Sequence, residues 1–420
     1  MTKPRDAAGR EPGVLRDAAF RRLWAGMTIS KFGSSIAAVA TPLIAVQVLD
    51  ASAFAVSLLT AAAWLPWLLV GLPAGAWIDR VARRPVMLAA DLASALVVVS
   101  VPIAAALGVL GMTHLIVVAM LLGVASVFFT VAWTAYLPAM FDKGHLVGAN
   151  SVLQATESAA QVAGPAVGGV LVAAVSAVAG LIADAVSFVL SALFLWRIPR
   201  PEKRVPRPER RPRLTEDIAT GIRWLARDRY LRNLTVHGAA ANLFLTGINA
   251  LIVVFLVREA GIGTTGVGVL LAVSSLAGVG AATAVPVLSR RVGDARSMVL
   301  CKSLAGVAAL LLPLTGTGAG LTAFVAGMAG IGFGVVAGNV LAGSFRQAYC
   351  PPRLLGRVLT GMQFVNYGTI PLGAVLGGAT AAVAGVRGAI TIMAVGYALS
   401  AVILLLGPFA RRRDLPTAPE

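Results

Sequence analysis

Long apolar runs, each close to the length of one bilayer crossing, recur along the whole 420-residue chain with only short polar connectors between them. A crossing helix needs about 20 mainly apolar residues, because inside hydrocarbon the backbone must satisfy its own hydrogen bonds. A buried globular core is excluded as the alternative. Some 58% of the residues are hydrophobic and only 13% are charged, whereas a soluble domain carries about 25% charged residues. The mean hydropathy of +0.85 says the same. The chain therefore reads as an all-α membrane protein.

Twelve runs fit the pattern: spans at 23–48, 54–78, 86–108, 114–137, 150–174 and 179–196, then 233–257, 264–289, 297–315, 320–344, 356–384 and 388–408. The net charge of +17 could suggest nucleic acid. Its placement argues against that. Of 35 Lys and Arg residues, 31 fall in every second connector or in the tails, as the positive-inside bias requires. Only Arg258 and Arg387 fall in the other connectors, and Lys31 and Lys302 within spans. This asymmetry predicts a multi-pass protein of the cell inner (plasma) membrane with both termini cytoplasmic. The expected organisation is a basic tail (1–22), a six-helix bundle (23–196), a linker (197–232), a second six-helix bundle (233–408) and a short tail (409–420). No cleavable signal is evident in the polar residues 1–19. Cys301 and Cys350 fall near connectors on the reducing side and form no disulfide framework.

The linker has two parts. Arg197 to Arg213 is rich in Pro and Arg and cannot form a regular helix. Leu214 to Leu231 reads as an amphipathic helix on the inner leaflet, with Ile218, Ile222, Leu225 and Tyr230 roughly on one face.

One connector stands out. Gly75-Ala-Trp-Ile-Asp-Arg-Val-Ala-Arg-Arg84 packs an acid and three arginines between two apolar runs, and a weaker copy, Pro286 to Arg296, lies 211 positions later. A charged connector recurring at one offset suggests a duplicated membrane unit. Span 5 carries Ala163-Gly-Pro-Ala-Val-Gly-Gly169, whose Gly164, Pro165, Gly168 and Gly169 strip one helix face of side chains and remove a backbone donor. Such a helix can approach its neighbours closely and bend. Span 11 has a counterpart in Pro371, Gly373, Gly377 and Gly378. Ordinary small-residue packing gives the same pattern.

With these motifs, and with Phe20-Arg-Arg-Leu-Trp24 leading into span 1, the chain resembles the major facilitator superfamily. It is most similar to the bacterial drug and siderophore exporter branch, which includes the enterobactin exporter and macrolide efflux proteins. The resemblance covers residues 18–408. It implies the major facilitator fold, two pseudo-symmetric six-helix bundles around a central cavity that opens alternately to either side. It also implies export of amphipathic organic compounds by proton antiport. Gly75, Asp79, Arg80, Arg83 and Arg84 match the loop 2–3 signature, with Ala82 where glycine is usual. The resemblance implies a gate in which Asp79 meets the positive start of span 11, near Leu355 to Val358. The arginines would be held by Asp79, Asp91 or lipid phosphates; a loop that only orients the helices is the simpler alternative. The chain departs from proton-coupled relatives in having Lys31, not an acid, in span 1 and no arginine in span 4.

Ionisable groups inside spans are costly and are candidates for proton or substrate sites by default. Here they are Lys31, Asp91, Glu157 and Asp184. Lys31 could attract an anionic substrate, pair with Glu157 or snorkel to the interface. Asp184 could pair only locally. Trp64, Trp67, Trp133, Tyr136, Asn242, Asn249, Asn339, Gln363 and Asn366 could line the cavity, or pack and hydrogen-bond between helices. His114, His145 and His237 lie far apart, at or near loops. No phosphate-binding loop, metal-ligand spacing or nucleophile with a base occurs, so no cofactor, no metal and no enzymatic activity are expected. The expected partners are a small-molecule substrate, protons and membrane lipids, with the protein acting as a monomer. A metabolite facilitator or importer on this fold, and a non-transporting membrane sensor or assembly partner that docks through the linker, are the alternatives.

Overall fold

The computed structural model describes residues 17–78, 81–140, isolated positions from 149 to 174, residues 176–198 and residues 222–416. Outside these residues lie the first 16 positions, Asp79, Arg80, the turn at 141–145, Glu157, Gly164, Pro165, Gly169 and most of the linker.

The described chain is helix joined by short connectors. Span 1 is Ala18–Gln47 and span 2 is Ala53–Leu69, continued past Val70 by Gly71–Ile78. Span 3 is Arg83–Ala106, span 4 Met112–Met140 and span 6 Ala177–Trp196. Span 7 is Arg229–Val254, extended by a π turn over Phe255–Glu259. Span 8 is Thr264–Val292, span 9 Asp294–Ala309 and span 10 Leu321–Tyr349. Pro352–Leu405 holds spans 11 and 12, divided at Gly385, whose φ of 73° no ordinary helix position takes. At the place of span 5, the described positions between Ala149 and Ala174 are helical too.

The duplication is written in the helix starts. Spans 1, 2 and 3 begin at 18, 53 and 83, and spans 7, 8 and 9 at 229, 264 and 294, each 211 residues later. The first starts are set by paired caps. Asp17 accepts hydrogen bonds from the N–H groups of Ala19 and Phe20, and Asp228 from those of Tyr230 and Leu231. An N-cap aspartate satisfies orphan donors and favours the positive helix end. This corrects two expectations. Spans 1 and 7 begin four or five residues earlier than apolarity alone placed them, with arginines riding on their first turn. The amphipathic helix does not run through to Leu231. Residues 222–227 are helical, Asp228 breaks the helix, and Tyr230 and Leu231 belong to span 7.

Alternate connectors gather at two ends. The basic end carries residues 81–84, 290–296 and 411–413; the far end carries 48–52, 107–111 and 259–263. At the far end one continuous buried core joins both halves. Ile44, Val46 and Leu59 from the first half pack in the same cluster as Leu251, Val254 and Met393 from the second. At the basic end the core divides in two. Phe20, Met87 and Tyr136 belong to a cluster made only by the first half, and Tyr230, Phe345, Tyr349 and Phe409 to one made only by the second. The halves are thus joined at the far end and parted at the basic end.

Exposure distinguishes outer spans from inner ones. Span 3 exposes Leu92, Leu96, Val99 and Ile103, span 6 Ile182, Val186 and Val189, span 9 Leu300, Leu304 and Val307, and span 12 Ile392, Val395 and Leu399. These i, i+3/i+4 stripes of large apolar side chains face lipid, since lipid is the only solvent for them. Spans 1, 7 and 10 also expose polar residues: Lys31 and Ser34 on span 1, Asn249 as well as Val236 on span 7, and Asn339, Ser344 and Gln347 as well as Val340 on span 10.

Small residues allow the closest contacts. A Cβ at Gly373 would collide with the carbonyl oxygen of Leu243 in span 7, and one at Gly377 would lie 2.9 Å from Gly247 Cα. Gly373→Ala is therefore expected to lower the thermal midpoint by several degrees, as overpacking costs on the order of 1–3 kcal/mol. Gly332→Ala in span 10, where a Cβ meets open space, should leave it unchanged or slightly raised. Equal midpoints for both variants would contradict this packing.

Candidate functional site

The far-end seal is made by spans 1 and 2 of the first half against spans 7 and 11 of the second. Gly378 sits against Ser57, so close that a Cβ there would collide with the Ser57 hydroxyl. Below this contact Trp64 and Trp67 of span 2 meet Tyr367 of span 11, with ring centroids 5.4 and 5.6 Å away. At the rim Arg258 donates to Asp50 Oδ1 at 2.7 Å, an ion pair across the two halves. The two arginines that broke the charge asymmetry are both committed here. Arg387 donates to the carbonyls of Pro313 and Thr315 at 2.6 and 2.8 Å and lies 3.6 Å from Glu259.

Beneath the seal, the parted basic end leaves an opening lined by polar faces of spans 1, 7 and 10. Lys31, Ser34 and Ala38 are exposed on span 1, and Asn249 on span 7. Asn242 and Asn249 lie 211 residues after Lys31 and Ala38, so the two halves present the same helix face. Asn242 donates to the carbonyl of Asn366 at 3.4 Å, linking spans 7 and 11. Asn366 tucks its side chain against Gly238, and its carbonyl oxygen Oδ1 is buried without a hydrogen bond. Gln363 is exposed one turn before it. Trp133 packs on the basic-end core of the first half. Tyr136 is fully buried in that core, so it packs and does not line the opening. An apolar groove of about 680 Å³, lined by Trp77, Pro85, Ala89, Val97, Leu121 and Phe128, lies on the outer flank of spans 2, 3 and 4.

Two acids of the first half, Asp91 and Asp184, are buried among spans. Asp91 is 2% exposed and lies against Ser191 of span 6, with Oδ2 lacking a hydrogen bond. It forms no ion pair among the described residues, so it does not hold Arg83 or Arg84. Arg84 instead donates to the carbonyls of Leu195 and Trp196, and Arg22 to that of Arg197 at 2.5 Å. Two guanidinium groups thus cap the negative C-terminal end of span 6. Asp184 is 1% exposed between spans 6 and 1. Ser34 and Ser187 hydroxyls donate to its Oδ1 at 3.5 and 3.4 Å, and Gly33 leaves the space it occupies. Trp24 Nε1 donates to Thr156 Oγ1 at 2.7 Å, fixing span 1 on span 5, and a Cβ at Gly168 would lie 2.9 Å from Ile36 Cα. Gly75 is on the last turns of span 2, and Arg83 opens span 3.

Four residues of the second half, His237, Cys301, Cys350 and Lys302, were not among the site candidates read from the sequence. His237 is not at a loop: it is buried inside span 7, with Nδ1 2.9 Å from the carbonyl of Ser400. Cys301 likewise lies inside span 9, and both cysteines are free and buried. Burial, with Asp228 nearby, pushes the Cys350 thiol up to about 11. Lys302 of span 9 reaches Asn339 Oδ1 of span 10 at 3.4 Å. It sits 211 residues after Asp91, so one position in the repeat carries opposite charges in the two halves.

Residues 12–416 match the family described as transmembrane secretion effector. The multidrug efflux pump Tap of Mycolicibacterium fortuitum is 28% identical over 94% of this chain and 97% of its own. The MFS-type transporter YfiS of Bacillus subtilis is 31% identical over 42% of each chain. Among solved structures, an inward-facing bacterial homologue of the iron transporter ferroportin is 17% identical, with a TM-score of 0.73 over 96% of this chain and 100% of its own. An inward-facing, occupied bacterial homologue of the human lysosomal transporter Spinster gives 0.70 at 14% identity, over 94% and 97%. At these identities the structures bear on the fold alone.

The far-end seal can be probed by labelling. With Cys301 and Cys350 replaced by serine, Ser57→Cys is expected to resist a membrane-impermeant maleimide applied at the far end. Adding Arg258→Glu should speed labelling about two- to fivefold, the range for an exposed pair. Adding Asp50→Lys as well should restore protection. Labelling indifferent to Arg258→Glu would remove the ion pair from the seal.

Proposed function

Because the chain belongs to the transmembrane secretion effector family of the major facilitator superfamily, we propose that it is a secondary exporter of amphipathic organic compounds, working by alternating access and driven by proton influx. The observation that carries this reading is the divided core. One shared core at the far end and two separate cores at the basic end are what one extreme of a rocking cycle requires. Positive-inside charge assigns the basic end to the cytoplasm, so this extreme is inward-open. The drug class is supported by the relative whose printed name is a multidrug efflux pump.

The opposite extreme needs a basic-end closure. Asp79 follows the last described turn of span 2 and is proposed to face the N-terminal end of span 11, which starts at Pro352. A carboxylate there is favoured by the helix dipole, and only when the basic ends meet. Asp184, Glu157 and Asp91 are the candidate proton carriers. Asp184 accepts a hydrogen bond from Ser34 of the helix that bears Lys31. The protein is expected to act as a monomer in the inner membrane, in contact with lipid along spans 3, 6, 9 and 12.

Everted vesicles carrying the protein should accumulate an amphipathic dye when a proton gradient is imposed, and stop when it is collapsed. Uptake indifferent to the gradient would remove antiport. Asp79→Asn should cut turnover about tenfold or more while dye binding changes less than about threefold, since it removes a contact of one state only. Unchanged turnover would leave that loop a purely orienting role.

A further inference from the structure

Resting on the exporter reading, we infer that the second half carries a subsite for an anionic group, so that the compounds favoured by this protein are amphipaths bearing a carboxylate, sulfonate or phosphate. The site is a shelf on span 10. Asn339, Gly343 and Arg346 stand at i, i+4 and i+7, on one helix face. Asn339 is exposed, Gly343 and Arg346 are half-buried, and the adjoining stripe of the helix exposes Val340, Ser344 and Gln347.

Two cations converge on the shelf. Lys302 comes from the side of span 9 opposite its lipid-facing stripe of Leu300, Leu304 and Val307. Its stem crosses span 10 where Gly338 leaves room: a Cβ there would lie 2.7 Å from Lys302 Cγ and 3.1 Å from Cε. The ammonium emerges beside Asn339 Oδ1, at 3.4 Å. Arg346 turns back along its own helix, with Nε donating to the carbonyl of Ala342 at 3.1 Å. Its guanidinium lies over Gly343, with Nη2 3.9 Å from where a Cβ would stand.

Neither has a carboxylate partner among the described residues. Lys302 makes a single long hydrogen bond to a neutral amide, and the two Nη groups of Arg346 make none. Two like charges held together without a counter-ion, at the edge of a membrane-embedded opening, are costly unless something else neutralises them. A substrate anion does so, accepting from the guanidinium fork and the ammonium together. Asn339 then serves as a positioning residue, orienting Lys302. The first half has Asp91 at the repeat position of Lys302, so the anion site belongs to one half only.

The probes are 8-anilinonaphthalene-1-sulfonate and its uncharged relative N-phenyl-1-naphthylamine. Their binding is measured by equilibrium dialysis against the full-length protein in nanodiscs, with empty nanodiscs as blank. The sulfonate is expected to bind the native protein, and Lys302→Met and Arg346→Gln should each weaken it about tenfold, the worth of one charge-assisted hydrogen bond. Both should leave the neutral probe unchanged, and Lys302→Arg should keep sulfonate binding. If Lys302→Met does not fold, Arg346→Gln, at the half-exposed end of span 10, decides alone. Equal weakening of both probes, or none for the sulfonate, overturns the inference. Efflux of the neutral probe from everted vesicles separates this from the exporter reading. Neutral efflux without anion preference sinks only the subsite; selective sulfonate binding by a protein that exports neither probe sinks only the export.

Discussion

The two halves of this protein are held together by apolar burial at one end alone. Ile44, Val46 and Leu59 share a core with Leu251, Val254 and Met393, and Trp64, Trp67 and Tyr367 close its lower edge. Among the described residues no such core joins them at the basic end, where Phe20 and Tyr136 pack inside one half and Phe345 and Phe409 inside the other. Each half thus has a buried core of its own at the basic end and shares one with the other half at the far end. Because packed cores are bistable and not continuously deformable, the proposed rocking would exchange the far-end contacts for new ones at the basic end. The opening, its polar lining and the position of every charged candidate follow from that division.

Within this frame the repeated unit supplies geometry, and departures from the repeat supply chemistry. Asp17 and Asp228 cap equivalent helices, and Lys31 and Asn242 occupy the same face of spans 1 and 7. Asp91 and Lys302 occupy the same place in spans 3 and 9 with opposite sign. The first half buries acids, Asp91 and Asp184, against serine hydroxyls, while the second presents cations on a glycine-relieved shelf. A duplicated scaffold with unlike charges in its halves can hold a proton site and an anion site without the two neutralising each other.

Much of this was legible in the sequence. Span count, duplication and the family followed from apolar length, from charge placed in alternate connectors, and from the Gly75–Arg84 motif. The glycines of span 11 were legible as close-packing sites because a missing Cβ means the same thing in any helix, and Gly373 and Gly377 do press on span 7. The starts of spans 1 and 7 were not, because a capping aspartate outweighs the arginines that follow it. The partner of Arg84 was not, because carbonyls at the end of span 6 carry no signature in the residue string. Tyr136 was read as a possible cavity aromatic because hydropathy does not say which face of a helix is buried. Lys302 was visible only as a charge within a span; its direction depends on Gly338 of another helix, which no local pattern reveals.

The account stands or falls on reciprocal motion of the two ends. Spin labels at Val109 and Leu314, exposed at the far end on opposite halves, and at Ala82 and Arg291 at the basic end, report both separations by pulsed electron resonance. On shifting the protein between substrate-loaded and proton-loaded conditions, the far-end distance should lengthen as the basic-end distance shortens. Two distances that stay fixed, or that grow and shrink together, would contradict it.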